Sequence, residues 1–226
     1  NPPPSGTDTL EYIELYNKKP FPVHLKNWKW MVGTSYKLLP DVFIPADSFL
    51  VLTSTNGSSL FSKEVNVIGI IGFPALTNTG QTLQLLNEND HIISVIAYTD
   101  TWYKDALKKE GGFSLEQVDA NNHCAGISNW GASVDKKGGT PGRRNSIGRI
   151  NEDKQAPAIH HVNIVSPLQL ELCFSEPMDS STLFDPDSYQ LGDLGPPILI
   201  KPLKPLYDRV QLTLKKPLLE KIVYTV

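Results

Sequence analysis

Side chains in the run LEYIELYN, residues 10–17, alternate with a period of two. In an extended chain successive side chains leave opposite faces. Leu10, Tyr12, Glu14 and Tyr16 therefore share one face, and Glu11, Ile13, Leu15 and Asn17 share the other. The same reading extends to LKNWKWMV (25–32), DSFLVLTS (47–54), TLQLLN (82–87) and HIISVIAY (91–98). Asn87, Glu88, Asn89 and Asp90 separate the last two runs, a polar cluster of the sort that closes a hairpin. Further along, PLQLELCFS places Leu168, Leu170, Leu172 and Phe174 on one face and Gln169, Glu171, Cys173 and Ser175 on the other. RVQLTLKK repeats the scheme with Val210, Leu212 and Leu214. The one helical candidate, DTWYKDALKKE (100–110), is short and runs into Gly111 and Gly112. Strand-sized runs joined by turns predict an all-β chain of sandwich type.

A chain of 226 residues suits one large domain or two of ordinary size. RINEDKQAP (149–157) is polar, charged and ends in proline, which reads as a linker. The expected organisation is thus a domain over 1–147, a linker over 148–157 and a second domain over 158–226. Between 111 and 146 the alternation dissolves into loop around one short strand, FSLEQV, with Trp130 as the expected anchor. The second stretch falls short of the roughly 100 residues of a full immunoglobulin-like sandwich, so it is expected to be incomplete. The chain lacks an initiator Met and stops inside the strand-like KIVYTV, and both ends are expected to be trimmed from a longer protein.

A net charge of -3 disfavours a dedicated nucleic-acid binder. No apolar run approaches the roughly 18 residues of a membrane-spanning helix. Cys124 and Cys173 are the only cysteines, without any C-x-x-C, and the residues leave open whether they are bridged or unpaired. Glu11 and Glu14 leave opposite faces of one strand, so they are not a catalytic pair. The sequence has no G-x-S-x-G, H-E-x-x-H, G-x-x-x-x-G-K or G-x-G-x-x-G. His160 and His161 would project to opposite faces if extended, which argues against shared metal ligation. His123 beside Cys124 reads as polar loop, and Asp185 and Asp187 as an ordinary turn. Neither a metal nor a cofactor is expected.

The ordered segments NPPPSGTDTLEYIELYN, LKNWKW, IPADSFLVLT, GFPALTNTGQTLQLLNENDHIISVIAY, GGFSLEQVD, NW and GGTPGRRNS resemble a lamin tail domain of the kind found in secreted or surface proteins of the Bacteroidetes. The second stretch resembles bacterial immunoglobulin-like domains through FSEPMD, Phe174 to Asp179. These resemblances imply two tandem immunoglobulin-like β-sandwich domains, and a non-catalytic interaction or anchoring module of a secreted or cell-surface protein. The alternative they leave open is an accessory region of an extracellular hydrolase or nuclease whose catalytic domain lies elsewhere. The expected partners are protein, glycan or a cell-envelope component. From the residues themselves, two groups are candidates for contact. Trp102 and Tyr103 offer large rigid rings in a polar loop. Lys136, Lys137, Arg143 and Arg144 make a basic, glycine-rich patch suited to anions.

Overall fold

The computed structural model describes residues 10–122, 125–152, 154 and 156–225. They form an all-β chain of fifteen strands. Its helical pieces among those residues are 3-10 turns of three or four residues. The described residues divide into two compact units, the main break falling after Glu152 and the short piece Ala125–Gly126 grouping with the second.

In the first unit the strands are β1 (Tyr12–Asn17), β2 (Val23–His24), β3 (Lys29–Val32), β4 (Ser35–Leu38), β5 (Phe43–Ile44) and β6 (Ser48–Ser54). They continue with β7 (Val67–Ile70), β8 (Gly80–Leu86), β9 (Ile92–Thr99), β10 (Leu115–Gln117) and β11 (Trp130–Ala132). One sheet has the order β1-β6-β7, antiparallel then parallel, and a second the order β4-β3-β8-β9, antiparallel throughout. β2 with β5 and β10 with β11 are two-stranded ribbons. The two larger sheets meet over a core of Leu50, Leu52 and Ile70 against Trp30 and Val32, extended by Ile13, Leu15, Leu83 and Leu85.

The alternation of β1 is realised: Ile13 and Leu15 turn to that core. Tyr12 and Glu14 pair in register with Thr53 and Val51 of β6 on the opposite face. Val51 and Thr53 are fully buried as well, so this sheet is covered on both sides. The expected strand over 25–32 begins only at Lys29. Asn27 takes a left-handed φ of 63° and the Trp28 N–H donates to the Leu25 carbonyl, which makes a turn of its first half. Trp30 is buried and Trp28 packs at the core margin. The β8–β9 hairpin closes as its sequence predicts. Asn87 Oδ1 accepts from the Asn89 and His91 N–H groups at 3.0 and 2.9 Å, and Asp90 carries the positive φ of the turn.

The second unit has β12 (Ile159–Ser166), β13 (Gln169–Phe174), β14 (Leu199–Pro202) and β15 (Arg209–Thr213), in one antiparallel sheet of order β12-β13-β15-β14. Leu170, Leu172, Val210 and Leu212 form its apolar face. The facing layer is not a second sheet among the described residues. It is irregular chain carrying Tyr189, Leu191 and Leu194, with the Tyr189 hydroxyl donating to the Leu183 carbonyl at 2.7 Å. Leu168, placed with the core by alternation, lies exposed in the turn between β12 and β13. β14 is an edge strand ending in Pro202, a position that requires no ladder N–H. β12, the other edge, is exposed along nearly its whole length.

Candidate functional site

A dense buried polar cluster lies on the outer face of the first unit's β1 sheet. There the segment GGTPGRRNS (138–146) crosses as a strap held by two carboxyl groups. Glu116, in the middle of β10, is 3% exposed. Its Oε1 accepts from the Thr140 hydroxyl at 2.9 Å and the Ser114 hydroxyl at 3.3 Å. Its Oε2 accepts from both the N–H and the hydroxyl of Ser146 at 2.7 Å, and from the Ile147 N–H at 3.4 Å. Glu14, arriving from β1, takes the Gly142 N–H.

The glycines of the strap have a steric reason. A Cβ on Gly139 would stand 2.6 Å from the Tyr12 hydroxyl, and Gly142 combines a φ of +80° with Val65 methyls at 3.0 and 3.1 Å from such an atom. Burial raises Glu14 to about 7; the Gly142 N–H pulls the other way, Glu116 adds to the rise and Arg143 lowers it. Tyr12 beneath the strap is pushed up to about 12, mainly by burial, with the Ser114 hydrogen bond opposing and Glu14 adding.

A second staple closes the loop before the strap. Asn129 is buried, donating to the Asp119 and Asn122 carbonyls at 2.8 and 2.6 Å and accepting from the Asp119 N–H at 2.9 Å. The anchor expected at Trp130 is therefore shared. Trp130 is half-buried and packs its ring against Trp102 at 6.0 Å, while its neighbour Asn129 makes the buried polar contacts.

The candidate residues sort by position. Trp102 is half-buried against Trp130. Tyr103 is turned toward the chain, with its hydroxyl donating to the Phe113 carbonyl at 3.3 Å, and burial raises it above its ordinary range. The expected short helix over 100–110 is broken instead into two 3-10 turns, because Lys104 adopts a left-handed φ of 54° between them. Arg143 is paired with Asp135 at 2.6 Å, and the Asp135 carboxyl also accepts the Lys137 N–H at 2.8 Å. The side chains of Lys136, Lys137, Arg143 and Arg144 are all exposed. Trp102 and Tyr103 lie in the 3-10 turn after β9, whereas the four cations lie on or beside the strap.

Glu116 and Glu14 as partners in one cluster escape a reading by local pattern. Glu116 sits in an unremarkable FSLEQV, and the groups it holds are some 25 to 30 residues away, at Thr140 and Ser146. The available signal was compositional: a loop rich in Gly, Thr, Ser and Asn needs buried acceptors if its N–H groups are not to face water.

In the second unit, one expectation is overturned. His160 and His161 do not leave opposite faces. The β12–β13 register slips between Ile159 and His161, a bulge in which two residues oppose one and the alternation is broken. The imidazoles lie edge to face at 5.3 Å with Nδ1 atoms 3.0 Å apart. His161 pairs with Cys173, and with Asn163, Glu171, Asp208 and Arg209 the two rings line a shallow depression of about 290 Å³. Arg209 stands 3.7 Å from both Glu171 and Asp208. Asp185 caps its own turn through the Asp187 N–H at 3.0 Å, and Asp179 does the same through the Ser181 N–H at 2.8 Å. Cys173 is buried. His123, Cys124 and the question of a Cys124–Cys173 bridge lie outside the described residues. No helix among the described residues is long and apolar enough to cross a membrane.

No protein-family model matches the chain, and no curated protein matches it.

Proposed function

We propose that the chain is a non-catalytic interaction module of a secreted or cell-surface protein, a lamin-tail-like immunoglobulin-like sandwich followed by a bacterial immunoglobulin-like domain. In this reading its working surface is the outer side of the strap. The observation that carries it is the closure of the Glu116 cluster. Both carboxyl oxygens are engaged by strap donors, so Glu116 fixes the shape of a loop and offers no open acceptor for a substrate. Outward from that fixed frame stand Lys136, Lys137 and Arg144, with Arg143 pinned by Asp135. A pre-shaped loop carrying cations binds anionic groups without the entropic penalty of ordering itself. An acidic cell-envelope glycan is the partner whose chemistry this surface fits.

The test is a salt-titrated binding series against acidic and neutral glycans with the parent chain and the Lys136→Glu, Lys137→Glu, Arg144→Glu triple variant. Selective binding to acidic glycans, weakening with salt and lost in the triple variant while the far-ultraviolet spectrum is unchanged, supports the reading. Equal binding by parent and variant defeats the assignment of the surface. Hydrolysis of a glycan or nucleic acid by this chain alone defeats the non-catalytic assignment.

A further inference from the structure

We propose that His160 and His161 form a binding site for a divalent copper ion, chelated through both Nδ1 atoms. The proposal belongs to the second unit and is independent of the strap. Its basis is the bulge in β12, which brings two adjacent imidazoles to one place and leaves both exposed to solvent.

The separation of the two nitrogens, which a hydrogen bond spans in the metal-free chain, is close to the bite of a square-planar ion. They lie 3.0 Å apart. With metal–nitrogen bonds of about 2.0–2.1 Å, such a separation subtends about 95° at the ion. That is the angle between neighbouring ligands in a square-planar or tetragonal complex, the geometry of Cu(II) and Ni(II). A tetrahedral zinc centre would need the nitrogens about 3.4 Å apart at the same bond length. Imidazole suits all three ions, and the order of divalent affinities places copper above nickel and zinc.

In the metal-free chain the short contact is a hydrogen bond in which one Nδ1–H donates to the other ring's Nδ1 lone pair. Binding requires both rings to carry their hydrogen on Nε2. This is a change of tautomer in one ring, with no net release of a proton. Among the described residues no group of three or more His, Cys, Asp or Glu side chains is gathered to hold a metal. Glu171 and Asp208 line the depression but stand beside Arg209. The ligand set is accordingly the imidazole pair completed by water, an exchangeable site rather than a structural centre.

The measurement is a titration of the chain with copper(II) chloride in a weakly coordinating buffer near neutral pH, read by competition with a chromophoric chelator and by electron paramagnetic resonance. The expected result is one equivalent bound with a tetragonal signal showing two nitrogen ligands. His160→Ala and His161→Ala should each weaken binding by more than roughly tenfold, since even outer-shell partners of metal ligands are worth that much. His24→Ala and Cys173→Ser should bind as the parent does. His160→Gln, which keeps a polar side chain on the bulge, should fail as His160→Ala does, and circular dichroism should show all variants folded. Parent-like affinity in either imidazole variant overturns the proposal. So does zinc displacing copper at equal concentration, or a loss of binding in His24→Ala equal to that in His160→Ala.

Discussion

Glu14 makes the stability of the first unit depend on pH between the mildly acidic and the neutral range. Its carboxyl titrates at about 7 in the folded chain against an ordinary 4.5, chiefly because it is buried. Between those values the folded chain holds a proton that the unfolded chain has released. Stability therefore falls as pH rises from about 4.5 to about 7 and levels off above. The span corresponds to a change on the order of 3 kcal/mol. Asp135 acts in the opposite sense: Arg143 and the Lys137 N–H hold its carboxyl below its ordinary value of 3.8, so its contribution is present above that value and lost on further acidification. Glu14→Gln keeps an oxygen for the Gly142 N–H and cannot ionise. Urea midpoints measured across the range should lose the descending slope in this variant. Glu116→Gln has a different consequence, because both of its oxygens accept and an amide supplies only one acceptor. Ser146 or Thr140 then faces an NH2 group, and the expected loss is about 2–3 kcal/mol by chemical denaturation.

At the level of elements, the period of two is legible in the sequence. β1, β6, β8, β9, β13 and β15 lie where period two places them; β1, β6 and β8 bury a face in the two-sheet core, and β13 and β15 bury theirs against irregular chain. The departures have local backbone causes invisible to periodicity. Asn27 in a left-handed turn shortens β3, Lys104 splits the 100–110 turn, and the bulge after Ile159 puts two histidines together. The strap was the least legible piece, since its partners are fixed by topology and not by spacing. Composition marks the cations of the strap but not the carboxyl groups that hold it. Gly142 sits at the tightest point of the strap. Gly142→Ala must place a side chain at positive φ against Val65, and the expected destabilisation is about 1–3 kcal/mol, measured as a lower urea midpoint.

On the scale of the whole molecule, each unit carries its own core, and the chain has a built-in way to tell them apart. All four tryptophans, Trp28, Trp30, Trp102 and Trp130, belong to the first unit. Leu52→Ala removes a fully buried side chain from the two-sheet core and should lower the tryptophan-reported stability by about 2–5 kcal/mol. Leu212→Ala does the equivalent in the second unit, with a loss of similar size expected in far-ultraviolet circular dichroism.

The exposure of β12 carries one last implication. Ile159, Val162 and Ile164 are 44%, 38% and 70% exposed although their register partners Phe174, Leu172 and Leu170 belong to the apolar face. Little packing resists the lifting of this edge, whereas β13 and β15 are gripped between neighbours and core. In deuterated solvent the β12 amides should take up label first and those of β13 and β15 last. An ion clipped across the two imidazoles would slow the early class and leave the late one untouched.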